Sequence, residues 1–170
     1  MVTSMKRWWR HLTTGSLARR RAFPGLVMQQ IESAIRECES RHTGEIRFAV
    51  DTALSFAELS AGMSPRECAI EAFSKLRVWD TAHNNGVLIY VLLADRDVEI
   101  VADRGVGNSR VPPSEWEACC HAMEAHFRRS HFRDGAVAGI RAVADVLGRY
   151  PPEPRVADAG NELPDAPALL

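Results

Sequence analysis

Long apolar runs are missing from this chain. Nowhere in its 170 residues do eighteen apolar side chains follow one another, so no membrane-spanning helix is expected. The basic amino terminus is not followed by an apolar core of a signal peptide. The stretch "AFPGLVMQQ" is short and broken by Pro24, so an export signal is not expected either. An excess of one charge is also missing. The net charge is −1, which gives none of the basic footprint that a nucleic-acid binder normally shows. Cysteine is sparse: Cys38, Cys68, Cys119 and Cys120 include no CxxC pair, and the adjacent Cys119 and Cys120 cannot bridge each other without strain. The Cys and His spacings fit no zinc pattern. Four reduced thiols in a cytoplasm are therefore expected. A phosphate-binding glycine loop is absent too, because "RGVGNSR" at 104–110 does not open a lysine-bearing helix.

What is present is unevenly distributed. Residues 1–21 carry Lys6, Arg7, Arg10, Arg19, Arg20 and Arg21 with no acid, and Trp8 and Trp9 lie among them. Residues 1–22 read as a basic arm, solvated and partly ordered, with one Trp packed on the domain. Basic residues mixed with Trp suit an anionic interface, so the arm is also a candidate for peripheral contact with a membrane or with a protein partner. The expected location is cytoplasmic, peripheral to the inner membrane if the arm makes that contact. At the other end, residues 151–170 include five prolines and an acidic balance. Such a composition buries little apolar area, and a disordered tail is expected.

Between them, residues 23–150 alternate helix and strand. Pro24 suits a helix start, and Val27, Ile31, Ala34, Ile35 and Cys38 recur at helical spacing, with Gly44 as the expected C-cap. "EIRFAV" alternates as a strand, and residues 51–63 read as a loop. Ser64-Pro65-Arg66-Glu67 is a capping box opening a helix whose stripe is Ala69, Ile70, Phe73 and Leu76. "GVLIYVLL" (86–93) is apolar throughout, as a strand covered on both faces must be. A turn at 94–97 returns the chain through Val98, Ile100 and Ala102. That register brings Asn84, Asn85 and Gly86 beside Asp103, Arg104 and Gly105. Two helices follow, the first with Trp116, Met123 and Phe127 inward and the second capped by Asp134. The order α-β-α-β-β-α-α predicts an α/β fold, a mixed β-sheet flanked by helices on both faces.

Thr43-Gly44-Glu45-Ile46, Trp79, Asn85-Gly86-Val87-Leu88 and Asp95-Arg96 resemble the TPM domain family over about Ile31 to Leu147. The resemblance implies a four-stranded sheet sandwiched between helices. It also implies a divalent cation, calcium or magnesium, near the end of the sheet. Some members are described as acid phosphatases and others as accessory proteins. This chain departs from the family pattern at Asn84, where members usually carry an acid, and at Val101 and Asp103-Arg104-Gly105. The candidate cation ligands are Asp80, Asn84 and Asp103, because a hard cation needs converging oxygens. Arg104 and Arg110 are candidates for a phosphate or other anion. No nucleophile stands out, so the expected function is an accessory domain that binds a divalent cation or a protein partner. A metal-dependent acid phosphatase is the alternative.

Overall fold

The computed structural model describes residues 5–107, 109–151 and 160–170. Its centre is strand β2 (Gly86–Leu92), buried at every position. Strand β1 (Glu45–Asp51) pairs with it in parallel, from Glu45 opposite Gly86 to Asp51 opposite Leu92. Strand β3 (Asp97–Ala102) pairs antiparallel on the other side, with Val87 opposite Ala102 and Leu92 opposite Asp97. A short β4 (Ala168–Leu169) adds to β1, giving the order β3-β2-β1-β4. The sheet is mixed and has helices on both faces, as the pattern predicts.

The pleat sorts the core into two halves. Ile46, Phe48, Val87, Ile89 and Ile100 point toward α3 (Gly25–Glu39), α6 (Pro113–Arg128) and α7 (Phe132–Arg149), where they meet Ile31, Ile35, Met123, Phe127 and Ile140. Ala49, Leu88, Tyr90 and Leu92 point the other way, onto Cys68, Ala69 and Ala72 of α5 (Pro65–Lys75). The capping box at Ser64 and Glu67 is present and starts α5. The α6 stripe is buried at Trp116, Cys119, Met123 and Phe127.

Several local expectations are corrected. Gly44 does not cap α3, which ends at Glu39 with Ser40 as its cap. The demand at Gly44 is space, since a Cβ there would lie 2.7 Å from Leu147 Cδ1. The expected loop at 51–63 contains α4 (Phe56–Ala61), with a capping box between Ser55 and Glu58 and Gly62 left-handed at its end. Ile70, expected inward on α5, is exposed. The β2–β3 turn spans 93–96 rather than 94–97, because Leu92 pairs with Asp97. Helix α7 begins at Phe132 after His131, so Asp134 stands in its first turn and is not the cap.

The termini differ most from expectation. The arm is more ordered than expected, although most of it stays exposed: it forms α1 (Met5–Thr13) and α2 (Ser16–Ala22). Arg7 Nε donates to Asp95 Oδ2 at 2.9 Å, and Arg10 donates to Oδ1 of the same carboxylate. His11 is buried, with Nε2 3.2 Å from Asp95 Oδ2 and Nδ1 accepting from the Leu54 N–H at 2.9 Å. Burial pushes the His11 pKa down, against the pull of Asp95. Trp8 packs edge-on against Phe56 at 5.2 Å.

Within the expected disordered tail 151–170, residues 160–170 are ordered against β1, while 152–159 lie outside the described residues. Proline-rich backbone needs side-chain partners to dock, and β1 provides them. The Glu45 carboxylate accepts from the Glu162 and Leu163 N–H groups, and Arg47 donates to the Pro164 and Ala166 carbonyls. Leu163 and Asp165 are buried there, with Asp165 accepting from Arg36 at 3.2 Å and Asn161 at 2.6 Å. Nearby, Glu39 accepts from the Ile46 N–H at 2.6 Å.

Burial, then Glu45 and Asp165, push the Glu39 pKa from 4.5 to about 8. A raised carboxylate pKa stabilises the fold below the unfolded value and stops doing so as pH climbs through the folded one. Stability and protease resistance of the 160–170 segment should therefore fall as pH rises from 4.5 to about 8. Pulsed proteolysis across that window reads this, and Glu39→Gln should flatten the profile. A segment equally resistant at both ends in the wild-type chain would refute the assignment.

Candidate functional site

The two ends of the β2–β3 hairpin differ in chemistry. Beyond the last ladder pair the chains stay together: the Asp103 N–H donates to the Gly86 carbonyl at 2.9 Å and the Gly105 N–H to the Asn84 carbonyl at 2.8 Å. The amide-rich entrance and the acidic exit thus meet, as the register predicts. The approach is close. A Cβ on Gly105 would lie 2.5 Å from the His83 and Asn84 carbonyl oxygens, and one on Gly86 would overlap the Val78 carbonyl oxygen.

The candidate ligands differ in their surroundings. Asp103 Oδ1 accepts from the Arg104 N–H at 2.7 Å, while Asp103 Oδ2 is buried without a hydrogen-bond partner among the described residues. Asp80 is exposed and accepts from Arg77 at 2.5 Å, with the same guanidinium over the Trp79 ring. Val78, two residues earlier, lies against Gly86, the residue facing Asp103. The 76–80 turn therefore packs at the same corner of the sheet as Asp103. Asn84 is half-buried at φ 51, a left-handed turn conformation that Asn tolerates.

The neighbouring amide is the one that builds the mouth. Asn85 is buried; its N–H donates to Thr81 Oγ1 at 3.1 Å, its carbonyl accepts from Glu45, and its Nδ2 donates to the Thr43 carbonyl. Its Oδ1 is a second buried oxygen without a partner among the described residues. The sequence signal was the Asn85-Gly86 pair itself, but spacing alone does not say which of two adjacent amides turns inward.

The anion candidates separate. Arg104 is exposed, whereas Arg110 donates to the Pro151 carbonyl at 2.8 Å. Among the described residues, no three His, Cys, Asp or Glu side chains gather in a way that could hold a metal ion. The four thiols are also quiet: burial raises all of them, Cys68 and Cys119 to about 11 and Cys120 to about 12. A thiolate nucleophile is thereby disfavoured. Along the free edge of β3, burial and Glu124 raise Asp97 to about 6, in a groove shared with Glu99, Arg66 and His121.

The mouth depends on its glycines. Gly105→Ala should destabilise the domain by about 1–3 kcal/mol, the usual cost of forcing atoms into a packed site. In a melt this is a Tm lower by roughly 2–12 °C. A Tm unchanged by Gly105→Ala would show that the strand ends do not meet as closely as described.

Relatives share this frame. A family model of the TPM domain matches residues 24–146. Among solved structures, the BA42 protein from the psychrophilic bacterium Bizionia argentinensis is 29% identical with a TM-score of 0.70, covering 84% of this chain and 92% of that one. The N-terminal domain of a P. gingivalis protein is 20% identical with a TM-score of 0.56, over 74% of this chain and 76% of that one. The N-terminal domain of cg2496 from Corynebacterium glutamicum is 13% identical with a TM-score of 0.53, over 81% and 80%; these two likenesses concern the fold alone. No curated protein matches the chain. With the match running from the start of α3 into the last turns of α7, and so through the whole hairpin and its mouth, the chain belongs to the TPM domain family.

Proposed function

We propose that this chain is a binding domain of the TPM family whose ligand end is the β2–β3 mouth, and that its ligand there is a divalent cation. One observation carries the reading. Asp103 Oδ2 is a buried carboxylate oxygen with no donor among the described residues. Leaving such an atom unpaired is costly, and a cation is the partner that removes the cost. Asp103 would hold the ion directly. Asp80, whose ion pair with Arg77 is solvent-exposed and therefore weak, would turn to it, and Asn84 would add an amide oxygen. The bound ion would supply positive charge at the mouth, where a phosphoryl group or the acidic surface of a partner could then dock.

With so few carboxylates the site belongs to the weak end of calcium affinities, on the order of 10⁻⁴–10⁻³ M. Titrating calcium or magnesium while following backbone amide shifts should move residues 80–86 and 103–107 together. Asp103→Asn should abolish those shifts. Shifts spread over the acidic surface, or kept in Asp103→Asn, would defeat the proposal. The hydrolase alternative has its own signature: cation-dependent turnover of a generic phosphate ester that disappears in Asp103→Asn. That result would replace a binding role with a catalytic one.

A further inference from the structure

The opposite end of the hairpin carries a different surface. Asp95, in the turn, holds the inward face of α1 through Arg7, Arg10 and His11. Because those three residues are committed inward, helical spacing turns Met5, Trp9 and Leu12 outward. They are 77%, 65% and 67% exposed. Phe56, 71% exposed, extends this apolar surface past Trp8, whose ring it touches. Leu17 on α2 is exposed as well.

Charge accompanies the apolar stripe. Residues 5–21 contain Lys6, Arg7, Arg10, Arg19, Arg20 and Arg21 and no acid. Beside the stripe opens a cleft of about 790 Å³ between the two amino-terminal helices, the hairpin turn and the α6–α7 turn. Arg10, Arg21 and Arg96 line it together with Thr13 and Ser130, and Asp95 is its only acid among the described residues. More than half of the Arg10 side chain remains open to solvent despite its ion pair.

We infer that α1 and α2 form a docking face for an anionic lipid bilayer, with a lipid phosphate seated in the arginine-lined cleft. A short helix presenting Trp and Leu on one side and cations on its flank suits the boundary between headgroups and acyl chains. Trp favours that boundary, and cations beside it are drawn to acidic headgroups. A second copy of the chain fits less well, because it would set Arg19, Arg20 and Arg21 of each arm against the same three of the other. This face is separate from the mouth, so the inference stands or falls independently of the cation site.

The test is flotation of the full chain with vesicles of phosphatidylcholine alone or mixed with one-third phosphatidylglycerol, at low and high salt. Binding should require the anionic lipid and fall at least about tenfold in high salt. Trp9→Ala with Leu12→Ala, and separately Arg20→Glu with Arg21→Glu, should each lower partitioning at least about tenfold. All these positions except Leu12 and Trp9 are polar, and none packs in the core, so a thermal melt within a few degrees of wild type confirms folding. Asp103→Asn should bind vesicles like wild type. Equal binding to neutral vesicles, no binding at low salt, or undiminished binding by the folded variants would overturn the proposal. So would saturable uptake of free glycerophosphate without vesicle binding, or a dimer in sedimentation that Trp9→Ala dissolves.

Discussion

No part of β2 can touch water, and the architecture follows from that constraint. A run such as Gly86–Leu92, buried at every position, needs a neighbour on each edge and a layer on each face. The edges are supplied by β1 and β3, one parallel and one antiparallel. The faces are supplied by α3, α6 and α7 on one side and by α5 on the other. The outer edge of β1 then needs cover of its own. The 160–170 segment gives it through Glu45, Arg47 and the two residues of β4. An uncovered strand edge invites pairing with other chains, and this cover lessens that hazard on the β1 side.

How much of this the sequence discloses depends on how local each cause is. The hairpin was legible because a continuous apolar strand, a turn and an alternating strand determine their own register. The meeting of Asn84–Gly86 with Asp103–Gly105 follows from that register alone. Helices α5 and α6 announce themselves by capping and spacing. Helix α4 is only six residues long, too short for periodicity to show, although Ser55, Glu58 and Gly62 were its cues. Helices α1 and α2 are short pieces that would be marginal alone. Their support is Asp95, some 88 positions from Arg7. The docking of 160–170 likewise rests on Glu45 and Arg47, which lie 117 or more positions away. Composition alone could not reveal either contact. At the mouth, the inward turn of Asn85 rather than Asn84 follows from the left-handed backbone at Asn84, which no spacing rule reports.

One hairpin thus presents two carboxylates in opposite circumstances. Asp95 at the turn is met by two guanidiniums and an imidazole, while Asp103 at the mouth keeps one oxygen without a donor among the described residues. About 20 Å of strand separates them. The first has found its cations within the chain and serves as an anchor. The second is left to find one elsewhere. A rigid, fully buried strand between the two lets each end be used without deforming the other.

The anchoring of α1 also has a history in time. Ribosomes make the amino-terminal helix long before the aspartate that holds it, because 88 positions separate Arg7 from Asp95. At roughly 5–20 residues per second, the delay is on the order of 10 s. Throughout that interval the Trp-bearing segment lacks its Asp95 partner, with its arginines unneutralised and its helix marginal. A nascent chain in this condition meets its surroundings with more adhesive surface than the finished protein retains, and closure of the hairpin turn is the event that withdraws half of it.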